Sequence, residues 1–223
     1  FSMGDLALNN NTIYNVSLLT GIWMSMEAFG DTWYNSSVFT MADITISDNE
    51  IYGADEDGIY VEYADEVKIE RNTVQNTYDD CISIYYCNYS NISDNTLTDS
   101  NDDGIDIDYS FNNTASGNTI IRSNDVGIQT HMSSNNTIYN NYLEDNTWNT
   151  YEYDGINRWN ISKTSGTNIM GGPKLGGNYY SNYTGSDSNK DGFGDTPYTI
   201  GGPGSSVDYL PLTTYTAPSG GGT

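Results

Sequence analysis

Acidic pairs recur along the chain as Glu56-Asp57, Asp79-Asp80, Asp102-Asp103 and, with one apolar member, Asp125-Val126, each 23 residues after the last. A small or sulfur residue and an isoleucine follow each time: Gly58-Ile59, Cys81-Ile82, Gly104-Ile105, Gly127-Ile128. Beyond the marker the chain alternates apolar and polar, which sets one series outward: Tyr60, Ser83, Asp106, Gln129, and then Glu62, Tyr85, Asp108, His131. If equivalent positions stack, these residues form one negative patch. Crowded carboxylates do not all ionise freely, so some of their pKa values rise. A protonated carboxyl beside an ionised one is the pair that cleaves a glycosidic bond, one protonating the leaving oxygen while the other activates water or attacks. The candidate catalytic residues are therefore Asp57, Asp79, Asp80, Asp103 and Asp106, with His131, the sole histidine, as a further proton-transfer group. A Tyr/His pair there would also suit a polysaccharide lyase. Trp23, Trp33, Tyr60 and Tyr85 are candidates for sugar contact, joined by Glu62, Asp108 and Gln129. Two other duties fit the same aspartates. Asp accepts main-chain hydrogen bonds in corners, and clustered carboxylates hold hard cations such as Ca²⁺.

What must position these residues is a repeat. Asn49, Asn72, Asn95, Asn118 and Asn141 keep the 23-residue step, as do Ile46, Ile69, Ile92, Ala115 and Ile138. Within a unit, Ile59, Val61 and Tyr63 match Ile82, Ile84 and Tyr86, then Ile105, Ile107 and Tyr109, then Ile128, Thr130 and Met132. Period two means strand, with this set expected inward. Short strands closing at a fixed period predict an all-β, right-handed parallel β-helix of about seven coils, with equivalent residues stacked about 4.8 Å apart. The repeated asparagines predict a structural amide ladder. Extra residues enter the first coil near 24–40, with Phe29, Trp33, Tyr34 and Phe39. A later coil carries Trp148, Tyr151, Tyr153 and Trp159. Insertions on a rigid scaffold either carry function or cap it.

With 7 Lys and Arg against 30 Asp and Glu, the formal net charge is −23. Such a field repels nucleic acid and anionic membranes and favours divalent cations. No apolar run is long enough to span a bilayer. Nine Asn-x-Ser/Thr sequons, at Asn10, Asn15, Asn35, Asn88, Asn91, Asn112, Asn135, Asn160 and Asn182, point to an extracellular or cell-surface location. Cys81 and Cys87 lie in one extended stretch spanning roughly 20 Å, too far to bridge without a bend, so free thiols are expected.

Residues 187–195 read Asp-Ser-Asn-Lys-Asp-Gly-Phe-Gly-Asp. Oxygen ligands at loop positions 1, 3, 5 and 9, with Gly192 at 6, follow the spacing of a calcium loop. Asp187, Asn189, Asp191, the Phe193 carbonyl and Asp195 are the candidate ligands of a structural Ca²⁺. Position 12 is Tyr198 rather than Glu, so a closing carboxylate would come from elsewhere, with Asp208 one candidate. The organisation expected is a β-helix over 1–176, a cap over 177–215 and a linker over 216–223. The N-terminal coil has no evident cap, so further coils, further domains or a second copy of the chain are expected to cover it.

The Asn-x-Ile and Asp-Gly-Ile repeat, over roughly residues 6–160, resembles the carbohydrate-binding and sugar-hydrolase β-helix family that includes NosD-like and archaeal surface proteins. Residues 177–212 resemble the terminal cap of its methanogen members. Together with the acidic face they bring to mind the disaggregatases of methanogenic archaea, whose target polymer contains amino sugar and uronic acid. Asp79-Asp-Cys-Ile-Ser-Ile84 also resembles the Asp-Asp-Cys-[Ile/Val]-x-Ile motif of polygalacturonase-type glycoside hydrolases. That likeness implies Asp79 as general acid, with Asp57 and Asp80 placing the water. The family's Gly-His-Gly is here Asp102-Asp103-Gly104, and its substrate-gripping Arg-x-Lys aligns with Gln129-Thr-His131. The expectation is therefore a polysaccharide glycosidase acting on a neutral or amino-sugar polymer, against a noncatalytic sugar-binding or structural surface module.

Overall fold

The computed structural model describes residues 6–14, 21–24 and 41–215. Three parallel sheets form the walls of a right-handed β-helix. The first wall has six strands, from Leu6–Asn9 through Lys68–Glu70 to Thr137–Tyr139. The second has seven, from Thr12–Tyr14 to Tyr179–Tyr180, and so continues past residue 176 into the segment expected as cap. The third has six, from Ile22–Met24 through Ile82–Tyr85 and Ile105–Asp108 to Trp148–Glu152. Between residues 44 and 144 the register follows the sequence period: Val74 pairs Leu97, Ile92 pairs Ala115, and Ile82 pairs both Ile59 and Ile105.

The inward isoleucines, valines and leucines of all three walls form one continuous core, most of them fully buried. Each such side chain contributes roughly 1.5–3 kcal/mol. Cys81 and Cys87 are free, buried thiols within it. The asparagine ladder is present and continuous. Asn49 Nδ2 donates to Asn72 Oδ1 at 2.9 Å, and the pattern repeats through Asn95, Asn118, Asn141 and finally Asn178. Each rung also accepts the main-chain N–H of the asparagine before it. A second ladder, Asn113–Asn136–Asn157, caps another corner: Asn113 and Asn136 each donate the main-chain N–H to the next Oδ1, and Asn136 Nδ2 also donates to Asn157.

One expectation is corrected. Tyr63, Tyr86, Tyr109 and Met132 do not continue the inward series. Each stands at a corner with φ between 47° and 54°, and Tyr63, Tyr86 and Met132 are about 40% exposed. A left-handed residue rotates the chain so that alternation stops one residue early. The tyrosine rings turn out and stack on one another, Tyr63 on Tyr86 at 5.3 Å and Tyr86 on Tyr109 at 5.0 Å.

At the C-terminal end Trp159 and Tyr180 close the core, and Tyr198 stacks on Tyr180 at 3.7 Å. Trp159 of the later insertion therefore plugs the solenoid instead of lining its surface. Its indole N–H donates to the buried Glu152, which also accepts from Asn157 and Ser206. Asp208, fully buried, accepts the Asn178 N–H and ends the main asparagine ladder. Covering the last rung this way protects an otherwise open sheet edge.

Candidate active face

The third wall carries the site. Parallel pairing places Tyr60, Ser83, Asp106 and Gln129 in one outward row, and Glu62, Tyr85, Asp108 and His131 in the next. Gln129 Nε2 donates to Asp106 Oδ1 at 3.3 Å, and Tyr60 Oη donates to Glu62 at 3.2 Å. His131 Nδ1 stands 3.4 Å from Asp108 Oδ1. Trp23 pairs with Tyr60 at the head of the first row. Trp33 and the rest of the first insertion lie outside the described residues.

On the turn entering this wall the aspartates stack as expected, but with a second duty. Asp57 Oδ1 accepts the Asp80 N–H at 3.2 Å, Asp80 Oδ1 accepts the Asp103 N–H at 2.8 Å, and Asp103 Oδ1 accepts the Val126 N–H at 2.8 Å. One oxygen of each is thus built into the corner, as the asparagines are elsewhere. The exposed Asp79 and part-exposed Asp102 flank this column. Carboxylate oxygens of Asp57, Asp79 and Asp80 lie within 4.8 Å of one another, and so do those of Asp80, Asp102 and Asp103. Either trio could hold a hard divalent cation.

Electrostatics follow from this crowding. Burial, then the charge of Asp79, pushes Asp57 up to about 7. Burial and then Asp106 push Asp103 up to about 8. Asp80 is held well above its ordinary value by burial and by Asp106, Asp103 and Asp57. Asp106 is raised by burial and then by Asp108. Asp102 is raised by burial and Asp79, and Asp108 by burial, with His131 pulling the other way. All seven lysines and arginines lie in the described residues, and none stands on this wall: Arg71 pairs with Asp48, Arg122 with Asp99 and Lys163 with Asp191.

A pH dependence of stability results. These raised carboxyls bind protons more tightly folded than unfolded. For Asp57, Asp103 and Asp106 this contribution is complete below about pH 4 and is lost as pH rises through 7–8, while Asp80, Asp102 and Asp108 act in the same direction. Asp48, Asp99, Asp191 and Asp195 are lowered and act oppositely, losing stability as pH falls through their titration. The melting temperature should therefore peak in mild acid and fall towards pH 8. Asp103→Asn keeps an acceptor for Val126 but cannot ionise, so melts from pH 4 to 9 should show a flatter alkaline limb and a gain of several degrees at pH 8. An unchanged slope would remove Asp103 from this account.

Beside the acidic strip runs a feature that the sequence reading missed. Consecutive ring contacts of 4.6–6.3 Å link Trp148, Tyr151, Tyr153, His131, Tyr109, Tyr86 and Tyr63, with Tyr85 packed edge-on among them. The signal was present as aromatics every 23 residues, but an aromatic residue at a left-handed corner has no sequence signature. This ridge offers flat apolar surface and hydroxyls along one side of a carboxylate strip, a combination suited to a sugar chain.

In the C-terminal loop, Asp187 Oδ1 and Asn189 Oδ1 both accept the Asp191 N–H at 3.1 Å, and Asp187 Oδ2 accepts from Gly192. Asp191 Oδ2 meets Lys163 Nζ at 2.7 Å. Asp195 is turned to Ser186 and Ser188. Asp208 is engaged at the end of the ladder and accepts from Asn178, Tyr180 and Leu210.

A family model described as periplasmic copper-binding protein (NosD) matches residues 5–185. None of the curated proteins matches. Among solved structures, a point variant of the periplasmic alginate epimerase AlgG is 22% identical, with a TM-score of 0.52, over 73% of this chain and 34% of that one. The unmodified epimerase is 21% identical, with a TM-score of 0.49, over 70% and 33%. The enzymatically active domain of bacteriophage CBA120 tailspike protein 2 is 12% identical, with a TM-score of 0.43, over 71% and 31%. The chain spans about a third of the length of these structures, and the likeness is one of fold.

Proposed function

The chain belongs to the NosD family of right-handed β-helix proteins, and on that footing we propose that it is an extracellular or periplasmic glycosidase whose acidic strip cleaves a cell-wall or matrix polysaccharide. The observation that carries this reading is the pairing of proton-retaining and exposed carboxyls on one open wall, flanked by the aromatic ridge. Asp106 projects from the strand, is part-exposed, and holds its proton towards neutral pH. It is the best-placed group to protonate the leaving glycosidic oxygen. Asp79, exposed beside Asp57 and Asp80, activates water or attacks the anomeric carbon. Asp57, Asp80 and Asp103 are bound into the corner by one oxygen each and crowd the strip with further carboxyls. In this reading they tune the acid through their neighbouring carboxyls, whereas the polygalacturonase resemblance implies Asp57 and Asp80 as the groups that place the water. With no cation on the wall to grip a carboxylated sugar, a neutral or amino-sugar polymer fits best, such as the amino-sugar component of a methanogen-type matrix. The test is release of reducing ends from a panel of wall polysaccharides.

His131 beside Asp108, Tyr109 and Tyr153 keeps a lyase as the second reading. Unsaturated product ends would establish it in place of hydrolysis. A noncatalytic sugar-binding module would retard on glycan gels and release nothing.

The copper of the family's description is a poor match to the donors that cluster among the described residues. Cu sites draw on thiolate, thioether and imidazole. Burial pushes both thiols up to about 12, their sulfurs contact main-chain carbonyls inside the core, and the single imidazole stands among a carboxylate and tyrosines. Among the described residues, the donors that do cluster are the carboxylate oxygens of the acidic strip.

A structural Ca²⁺ in the 187–195 loop belongs to the same proposal, held by Asp187, Asn189, Asp191, the Phe193 carbonyl and Asp195. Binding would require Lys163 to release Asp191 and Asp195 to leave its serines. Calcium at 100 times its dissociation constant should then stabilise the fold by about 2.7 kcal/mol. Thermal melts with and without calcium, on the wild type and on Asp187→Ala, read this. No shift in the wild type would rule the site out.

A further inference from the structure

Among the sequons from Asn88 onwards, the fold separates asparagines whose side-chain amides are engaged in hydrogen bonds from asparagines presented at an outer corner. Asn88 Nδ2 donates to Asp65, and its Oδ1 accepts the Phe111 N–H. Asn91 Nδ2 donates to the hydroxyl of its own sequon serine, Ser93, which is buried. Asn160 Oδ1 accepts the Tyr209 N–H. Asn182 Oδ1 accepts from Asn149 and Tyr198. Asn112 and Asn135 differ. Both sit at the outer corner between the third and first walls with φ of 60°, a conformation asparagine tolerates. Both are exposed, and the sequon threonines Thr114 and Thr137 are part-exposed where the next strands begin. The middle residues, Asn113 and Asn136, are buried rungs of the second ladder, so each corner is presented rigidly.

We propose that Asn112 and Asn135 are N-glycosylation sites, modified after the chain has folded. The donor is a polyisoprenyl phosphate- or diphosphate-linked oligosaccharide. The Asn Nδ2 forms a bond to the anomeric carbon as that carbon's bond to the phosphate oxygen breaks. The lipid phosphate leaves with the electron pair, and the amide proton passes to the transferase. No oxidant or reductant is required. The two asparagines occupy equivalent corners of neighbouring coils, about 4.8 Å apart. Two glycans rooted that closely crowd each other, so one chain carries a single glycan distributed over the two sites. The inference stands apart from the catalytic reading.

The test is glycopeptide and intact-mass spectrometry of the full chain, expressed with secretion in a host whose oligosaccharyltransferase modifies a control sequon protein. Expected are glycopeptides at Asn112 and Asn135, none at Asn88 or Asn160, and a dominant single-glycan intact mass for the pair. Thr114→Ala leaves the corner asparagine and the Asn113 rung in place, and should shift the whole signal to Asn135. Glycan at Asn88 or Asn160 with an unmodified pair would overturn the sorting by fold. An unglycosylated chain in the competent host would overturn the sites, and equal amounts of doubly modified chain would overturn the mutual exclusion.

Discussion

Asp106→Asn is expected to cut polysaccharide cleavage by about 10²–10⁴-fold, the usual range for a lost general acid, while leaving the fold and sugar retention intact. The amide is nearly isosteric with the protonated carboxyl, and its oxygen still accepts from Gln129 Nε2. What it lacks is a transferable proton. Asp79→Asn should give a loss of the same order through the opposite partner, and the double variant should be little worse than either, since the two act in one step. Asp80→Asn is the contrast. Its main-chain bond to Asp103 can be made equally by an amide, so the expected effect is a shifted pH profile with a smaller loss of rate. Activity of Asp106→Asn within tenfold of wild type would dismiss it as the acid. Retention on a glycan gel distinguishes lost chemistry from lost binding.

The second large effect concerns stability. Asn95→Ala should destabilise the protein by roughly 3–5 kcal/mol, because each buried group stranded without a partner costs about 1–3 kcal/mol. Both the main-chain N–H and the side-chain Nδ2 of Asn72 would lose the Asn95 Oδ1 acceptor. The Ile69 carbonyl would lose its donor, and Asn118 Oδ1 would lose one of two. All of these groups are buried, so water cannot easily replace the amide. Denaturant unfolding with an unchanged m-value measures the loss. By comparison, Thr96→Ala next door, on an exposed strand position, should move the midpoint little. Equal effects would mean that the ladder adds nothing beyond ordinary strand packing.

The period made most of the frame legible beforehand. A 23-residue step in the asparagines, the inward isoleucines and the Gly/Cys markers can be met only by stacked coils, and the pairing of Val74 with Leu97 or Ile82 with Ile105 follows directly. The outward rows were legible for the same reason. Three features were not. Corner geometry at Tyr63, Tyr86 and Tyr109 depends on a left-handed φ that tyrosine rarely adopts. It persists here because each coil stacks its ring on the last. The bonds from Asp57, Asp80 and Asp103 to the next coil depend on side-chain direction, which spacing leaves open. Trp159 reads as part of an insertion that either carries function or caps the solenoid, and its pairing with Glu152 forms only once the cap folds over them. Local alternation therefore locates walls, while corners and ends are decided by contacts between coils.

The hydrogen bonds joining successive coils run along the solenoid axis, as from Thr73 N to Asn49 O and from Thr96 N to Asn72 O, both 2.8 Å. A load applied between the two ends of the molecule would pull these bonds open coil by coil rather than shear them all at once. Each 23-residue turn would then pay out roughly 75–80 Å of chain. Under such a load the solenoid would lengthen in near-equal increments, each resisted by the main-chain bonds of three short strands, the ladder amides and one layer of core.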